Sequence, residues 1–274
     1  MQQVTAHRLA VWGDPISHSR SPQLHAAAYR MLGLDWEYGR RRVSAEDFTA
    51  DLAGLDRTWR GLSLTMPLKE AAYRAADSRD RHAQLTGAVN TLLLGASLHG
   101  FNTDVGGIVD ALAEQGIREL GRVRIIGAGA TAASALVAAS DLGAQVVEVR
   151  ARRPERATGL VDLGERLGAF VTVRLMDEPA EGVDLTVATL PSGTVLPDEQ
   201  AARLSEDGGV LFDAAYAPWP SALAQRWGSA PAISGFGMLL HQAVRQIRIF
   251  LHGDPDTPLP DEPRVVVAMR DAIA

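Results

Sequence analysis

Short apolar runs alternate along this chain with stretches whose apolar residues recur every three or four positions, the two periods of strand and helix. Arg8–Trp12 reads as an opening strand, and Leu24, Ala27, Ala28 and Met31 then repeat at helical spacing up to Gly33. Ser21 suits the N-cap of that helix and Pro22 its first position. Trp36–Val43 is a second strand, and Ser44-Ala45-Glu46-Asp47 resembles a capping box opening another helix. Gly61 to Glu70 reads as a buried strand that turns into a helix at Pro67. Gly87–Leu94 is a strand carrying one polar residue, Asn90, with a hairpin turn over Gly95–Gly100 and a helix over Val105–Gln115 closed by Gly116. This alternation predicts a first parallel unit.

A second unit of the same kind follows. Val123–Ile126 runs into Gly127-Ala128-Gly129-Ala130-Thr131-Ala132, an alanine-rich helix ends at Gly143, and a strand resumes at Gln145–Val149. Strand, G-x-G-x-x-A turn and helix are the parts of a dinucleotide-binding unit. Gly127 allows the turn, Gly129 lets backbone approach a pyrophosphate, and Ala132 permits close helix–strand packing. Further strands fall at Phe170–Arg174, Leu185–Thr189 and Val210–Asp213. Gly235-Phe236-Gly237 breaks the chain before a long helix, Met238–Leu251, with Leu239, Ala243 and Ile247 on one face and Gln242 beside it.

Composition narrows the class. The chain has 274 residues, 46% hydrophobic and 22% charged, enough for a large core. A net charge of −6 argues against nucleic acid, and no cysteine is present for a disulfide, a thiol nucleophile or a Cys-based metal site. No run approaches the ~18 apolar residues of a membrane span, so the expectation is a cytoplasmic α/β protein. His18 and His25 have no third ligand in view and His241 reads as packing, so no metal site is expected.

Several polar residues stand where chemistry is possible. Ser19 and Ser21 sit at a helix mouth, where a carboxylate could be held; ordinary capping explains Ser21 equally well. Lys69 falls in the first turn of a helix, against the dipole, just after Thr65. Asp104, in Phe101-Asn102-Thr103-Asp104, lies at another helix start, where capping alone would account for it. Arg150, Arg152 and Arg153 end the second strand of the dinucleotide unit, where NADP sites place arginine for the 2′-phosphate. Glu148 has the spacing of an NAD-type acid but falls inside the strand. Pro191-Ser192-Gly193 and Ala214 to Pro220 are loops at strand ends, where open α/β sheets bind ligands.

In order, the segments GDPISHSRSP, LTMPLKEAA, TGAVNTLL, FNTD, GAGATA, the arginine cluster, DAAYAP and GFGMLLHQA resemble the shikimate dehydrogenase family over nearly the whole chain. The resemblance implies two α/β domains with a cleft between them: a substrate-binding domain at 1–103 plus 238–274, and a Rossmann-type NADP-binding domain at 104–237. It implies NADPH-dependent reduction of 3-dehydroshikimate to shikimate by a monomer or homodimer, with no membrane or nucleic-acid partner. By the same resemblance Ser19 and Ser21 hold the substrate carboxylate, with Tyr216 nearby. Thr65, Asn90 and Gln242 bond ring hydroxyls, and Lys69 and Asp104 form the catalytic pair. Gly127, Ala128, Gly129, Ala130, Thr131 and Ala132 cradle the pyrophosphate, and Arg150, Arg152 and Arg153 select NADP. Thr189, Leu190, Pro191, Gly235 and Met238 lie along the cofactor.

Three positions depart from the pattern: Ser63 and Ala151 stand where asparagine is frequent, and Val187-Ala188-Thr189-Leu190-Pro191 replaces a more usual Asn-Ala-Thr-Ser. The rival readings are a quinate/shikimate dehydrogenase using NAD, an aminoshikimate-type dehydrogenase, and a non-catalytic NADP-binding sensor. Ser21 speaks against quinate, the arginines against NAD, and the retained Lys69 and Asp104 against a sensor.

Overall fold

A computed structural model describes residues 7–179 and 181–273. The chain divides into two compact units, one running to Gly107 and resuming at Leu239, the other Ile108–Met238. The first contains β1 (His7–Gly13), α1 (Ser21–Leu32), β2 (Trp36–Arg42), α2 (Phe48–Ala53), β3 (Trp59–Leu64), α3 (Lys69–Ala75), β4 (Ser78–Arg79), α4 (Arg81–Thr86), β5 (Thr91–Leu93) and β6 (His99–Phe101). Helix α5 (Thr103–Glu114) carries the chain into the second unit. That unit holds β7 (Arg122–Ile126), α6 (Ala130–Asp141), β8 (Val146–Arg150), α7 (Thr158–Leu167), β9 (Phe170–Arg174), β10 (Leu185–Ala188), α8 (Asp198–Ser205), β11 (Val210–Asp213) and β12 (Ala232–Ser234). Helix α9 (Phe236–His252) returns to the first unit, where α10 (Glu262–Asp271) packs on α1.

The first sheet is ordered β2-β1-β3-β5-β6-β4. Strands β1, β2 and β3 are parallel, as the alternation with helices requires. The parallel unit predicted for the first three strands ends there, and the predicted hairpin follows: β5 pairs antiparallel with β6, and also with β3. The turn between β5 and β6 is too short for a crossover, so the chain can only fold back. Trp12, Phe48, Leu62, Leu68 and Leu92, all fully buried, form the core on one side of this sheet. The second sheet, β12-β11-β10-β7-β8-β9, is parallel throughout. Helix α6 is buried on nearly all sides from Ala132 to Ala139, which explains why it is written in alanine.

Three local expectations change. Ser21 is the first helical residue and Arg20 the cap, because the Ser19 hydroxyl already accepts the Ser21 N–H, at 3.4 Å. Met31 is 46% exposed, and His25 and Tyr29 take the inward face of α1 instead. The long helix begins at Phe236, with Gly237 inside it. A Cβ at Gly237 would stand 3.1 Å from Ala111 Cβ, so a residue this small suits the position despite its poor helix propensity.

Candidate active site

In the first unit, two helix starts bring opposite charges together. Lys69 opens α3, and Asp104 lies in the first turn of α5. Lys69 Nζ donates to Asp104 Oδ2 at 2.5 Å, with the side chains only 14% and 8% exposed. The lysine is held from behind: Leu68 N–H donates to Thr65 O, and Val89 N–H donates to Lys69 O. The aspartate is held by two asparagines, one on its carboxylate and one on its backbone amide. Asn90 Nδ2 donates to Asp104 Oδ1 at 2.8 Å, and Asp104 N–H donates to Asn102 Oδ1 at 3.0 Å. Asn102 N–H donates in turn to Asp80, a half-buried carboxyl that also caps α4. Burial raises the pKa of Asp80, partly offset by hydrogen bonds from the Ala83 and Asn102 amides.

Asn90 takes a different place from the one expected. It is 2% exposed, and its amide donates to Thr103 Oγ1 and Asp104 while accepting from Thr91 Oγ1 and Thr103 N. An asparagine side chain has two donors and two acceptor sites, and all are engaged. Asn90 therefore orients Asp104 rather than offering a free bond to a ring hydroxyl. Thr65 is half-buried beside Gly13, where a Cβ would fall 2.3 Å from Thr65 Cγ2. Gln242 donates to Leu239 O in its own helix, leaving its amide oxygen as an acceptor. Ser19 is half-buried and Ser21 is 6% exposed at the start of α1.

A buried polar layer that the sequence reading did not find lies beside these residues. Tyr38 donates to Ser63 Oγ at 2.6 Å, and Ser63 donates to Gln246 Oε1 at 2.7 Å. The fully buried His25 bonds Gln246 and Tyr29 and stacks on Tyr38, with ring centroids 3.8 Å apart. Burial depresses the His25 pKa to about 3 against a weak opposing bond from Gln246, so the ring is neutral. Gln246 lies one helical turn beyond Gln242, the only hint in the sequence.

The second unit supplies the glycine loop. Gly127 has φ +116°, and a Cβ there would stand 2.4 Å from Thr189 Oγ1. Thr189 is fixed by donating to Ile126 O from both its amide and its hydroxyl. Helix α6 starts at Ala130 with Gly129 as N-cap and no side chain capping it. Nothing lies within 4 Å of where a Gly129 Cβ would be. An uncapped helix N-terminus with open space before it fits an anionic pyrophosphate. Ala128, Ala130 and Thr131 are half-buried around the loop, and Ala132 packs fully against the sheet. Arg152 and Arg153 are exposed at the end of β8. Gly235 is required by proximity, since a Cβ would meet Ala214 O at 2.3 Å. Pro191 is exposed, Tyr216 half-buried and Met238 9% exposed, while Leu190 packs on the core of this unit.

Arg150 leaves the cofactor set. Its side chain is fully buried, donates to both oxygens of Glu148, and also bonds the carbonyls of Leu175, Glu178 and Pro179. Glu148 also accepts from Arg124, buried in the middle of β7. Burial pushes the Glu148 pKa up, but the hydrogen bonds and charges of Arg150 and Arg124 outweigh it and hold it below the usual range. Glu148 is thus a structural counter-ion inside β8. A groove of about 610 Å³ beside Arg203, Gly208 and Trp227 lies at the start of β11, the strand end opposite Asp213, and carries none of the candidate residues. Among the described residues no His, Asp and Glu are grouped to hold a metal ion, and no helix is long and apolar enough to cross a membrane.

Residues 11–92 match the family model described as "Shikimate dehydrogenase substrate binding domain". A shikimate dehydrogenase (NADP(+)) of Rubrobacter xylanophilus is 38% identical over 260 residues, 89% of this chain and 90% of its own. The crystal structure of Mycobacterium tuberculosis shikimate dehydrogenase is 38% identical with a TM-score of 0.82, covering 97% of this chain and 99% of that one. A Thermus thermophilus shikimate 5-dehydrogenase, solved in complex with NADP(H) and shikimate, is 32% identical with a TM-score of 0.79, over 97% of this chain and all of the other.

Proposed function

The chain belongs to the shikimate dehydrogenase family, and from that premise we propose that it reduces 3-dehydroshikimate to shikimate reversibly with NADPH, using Lys69 as proton donor and Asp104 as its partner. The observation that carries the reading is the enclosed Lys69–Asp104 pair, with its carboxylate oriented by Asn90 and the Asp104 backbone amide held by Asn102. When bound, NADPH supplies the hydride that reduces the C3 ketone. The oxygen of that ketone becomes an alkoxide and needs a proton donor within hydrogen-bond reach. Lys69 has three N–H donors, of which one is given to Asp104, so two remain for the substrate oxygen. Asp104 has one oxygen on Asn90 and the other on Lys69, which suits it to orient the ammonium and balance its charge rather than to deliver the proton. In the reverse direction Lys69 takes the proton back.

The remaining assignments follow the chemistry of the groups. Ser19 and Ser21 offer hydroxyls at a helix start to the substrate carboxylate. Thr65 and the free amide oxygen of Gln242 serve the ring hydroxyls. The first unit is thus the substrate-binding domain, and the second binds NADP through the Gly127–Ala132 loop and through Arg152 and Arg153. Gly235 and Met238 complete the cofactor's lining on that unit, with Thr189 supporting the loop behind Gly127 and Pro191 at its rim. The same reading makes the protein a cytoplasmic monomer or homodimer acting on a small molecule.

The test is the initial rate of oxidation of shikimate and of quinate, each with NADP and with NAD. Shikimate with NADP is expected to exceed shikimate with NAD by at least about tenfold in kcat/KM, the worth of one charge-assisted hydrogen bond. Replacing Arg152 and Arg153 together by alanine should remove that margin and leave the NAD rate unchanged. Preference for quinate, or for NAD in the unaltered protein, would contradict the reading.

A further inference from the structure

We propose that Thr86 is a positioning residue for the proton transfer, its hydroxyl tying together the two segments that hold Asp104 beside Lys69. The inference rests on the reading of Lys69 and Asp104 as the reacting pair and deepens it.

Asp104 is held from two directions, by Asn90 on its carboxylate and by Asn102 on its backbone amide. Both asparagines lead back to the end of α4. Thr86 is the last residue of that helix and half-buried, and Gly87, in the left-handed conformation, turns the chain toward Ala88, Val89 and Asn90. A threonine hydroxyl has one proton to give and two lone pairs to receive with. The proton goes to His82 O at 2.8 Å, nearer than the Ala88 and Ala83 carbonyls at 3.4 and 3.5 Å. That is the bond a threonine makes to the preceding turn of its own helix. The lone pairs then face outward: one accepts from Asn102 Nδ2 at 2.9 Å, the other from Ala88 N–H at 3.4 Å.

This arrangement fixes which way the Asn102 amide points. Asp104 N–H can only donate, so Asn102 Oδ1 must face it. Thr86 Oγ1, its proton committed to His82, can only accept, so Asn102 Nδ2 must face it. The two demands agree on one orientation, in which Asn102 holds the first turn of α5 and with it Asp104. The backbone of Asn102 is held separately, from the other end of α4, where Asp80 Oδ1 accepts its N–H at 3.2 Å. Thr86 thus controls the amide and not the course of the chain. Through Ala88 the same hydroxyl steadies the segment that carries Asn90, whose amide reaches Asp104 Oδ1. Asp104 in turn aims the Lys69 ammonium, so a drift of the carboxylate is felt at the reacting proton.

The test is the single-turnover rate of NADPH oxidation by 3-dehydroshikimate, with KM for NADPH and the melting temperature measured alongside. The variants are Thr86→Val, Thr86→Ser, Asn102→Ser and the pair Thr86→Val with Asn102→Ser. Thr86→Val keeps the branched shape and removes only the hydroxyl. It should slow turnover at least about fivefold, within the ~100-fold that a misplacement of about 1 Å can cost, with KM for NADPH unchanged. Thr86→Ser keeps the hydroxyl and should hold the rate within about twofold of the unaltered protein. Asn102→Ser retains an oxygen to cap α5 but removes the amide that bonds Thr86; it should slow turnover, and adding Thr86→Val should slow it by no more than about twofold further. If Thr86→Val lowers the melting temperature without slowing turnover, or Thr86→Ser is as slow as Thr86→Val, Thr86 is a packing residue and the inference is overturned. Additive effects of Thr86→Val and Asn102→Ser overturn it too. Asp104→Asn separates the inference from its premise. If that substitution leaves turnover unchanged, the reading of the pair fails first and the inference with it; if it slows turnover while Thr86→Val does not, the inference fails alone.

Discussion

His25 makes the stability of the first unit depend on pH in a way that can be worked from the structure. Its ring is fully buried, stacked on Tyr38 and bonded by Tyr29 and Gln246, and burial lowers its pKa from 6.5 to about 3. Unfolding returns the ring to water and to an ordinary pKa. Between pH 6.5 and pH 3 the unfolded chain binds a proton here that the folded chain does not. Stability therefore rises with pH through this window; it is fully present above it and lost as pH falls toward the folded value. Each pH unit is worth about 1.4 kcal/mol, so the window holds about 5 kcal/mol in total. The assay is urea unfolding at intervals from about pH 4.5 to 8.5, followed by tryptophan fluorescence, for the unaltered protein and for His25→Gln. Other titrating groups are common to both, so the difference in slope isolates His25. The unaltered protein should lose about 1.3 kcal/mol more per pH unit near pH 5 than the variant, and equally little above pH 8. A slope difference below about 0.3 kcal/mol per unit near pH 5 would mean that the folded ring takes a proton almost as readily as a free one. The burial argument, and the neutral tautomer built on it, would then be wrong.

Other consequences can be checked as directly. Lys69→Met and Asp104→Asn should each lower kcat by about 10²- to 10⁴-fold, the usual worth of positioned acid–base catalysis, with shikimate binding by fluorescence titration much less affected; retention of more than a tenth of kcat by Lys69→Met would remove it as proton donor. Gly127→Ala forces a side chain into φ +116° and against Thr189 Oγ1. It should cost about 1–3 kcal/mol in thermal or urea stability and weaken NADP binding; an unchanged NADP affinity would detach the loop from the cofactor. Glu148→Gln leaves Arg124 and Arg150 buried without a counter-charge and should destabilise the protein by about 3–5 kcal/mol in urea, with KM for NADP unchanged in the folded fraction. A specific rise in KM would return Glu148 to the cofactor site.

What was legible in the sequence is what local periodicity and turn chemistry determine. Gly33 and Gly127 do adopt the positive φ their positions suggested, the Gly129 helix start is open, and Lys69 and Asp104 stand at helix starts as their spacing implied. What escaped depends on register. Arg124 is opposite Glu148 across β7 and β8, and Arg150 is two residues along the same face, so three side chains meet only once the parallel pairing is fixed. Read along the chain, Arg150 belonged with Arg152 and Arg153. Read across the sheet, it belongs with Glu148. The polar layer around Gln246 is harder still, because His25 and Gln246 are 221 positions apart and no local pattern links them. Asn90 was noticed as a polar residue in an apolar segment, but its partners, Thr103 and Asp104, lie beyond a hairpin.

The two buried ion clusters show how to tell scaffold from site when both carry charge. Arg124 gives its three nitrogens to Glu148, Leu204 O and Glu181 O, and Arg150 gives its own to Glu148 and three carbonyls. Every nitrogen of both guanidiniums bonds protein, and Arg150 spends all five of its N–H groups there, so Arg150 has nothing left to offer a ligand. The effect of the cluster is to tie β7 and β8 to the segment after β9, since the carbonyls of Leu175, Glu178 and Pro179 are held by one side chain. The Lys69–Asp104 pair is arranged the other way. Each oxygen of its carboxylate is engaged, one by Asn90 and one by Lys69, but the ammonium makes a single bond in the described structure and keeps two donors in reserve. Leaving buried donors unmade costs stability, and the fold accepts that cost where a substrate oxygen would restore the bond. Unused hydrogen-bond capacity at a fixed, enclosed charge is therefore the stronger mark of the reacting centre, and burial alone, which both clusters share, is not.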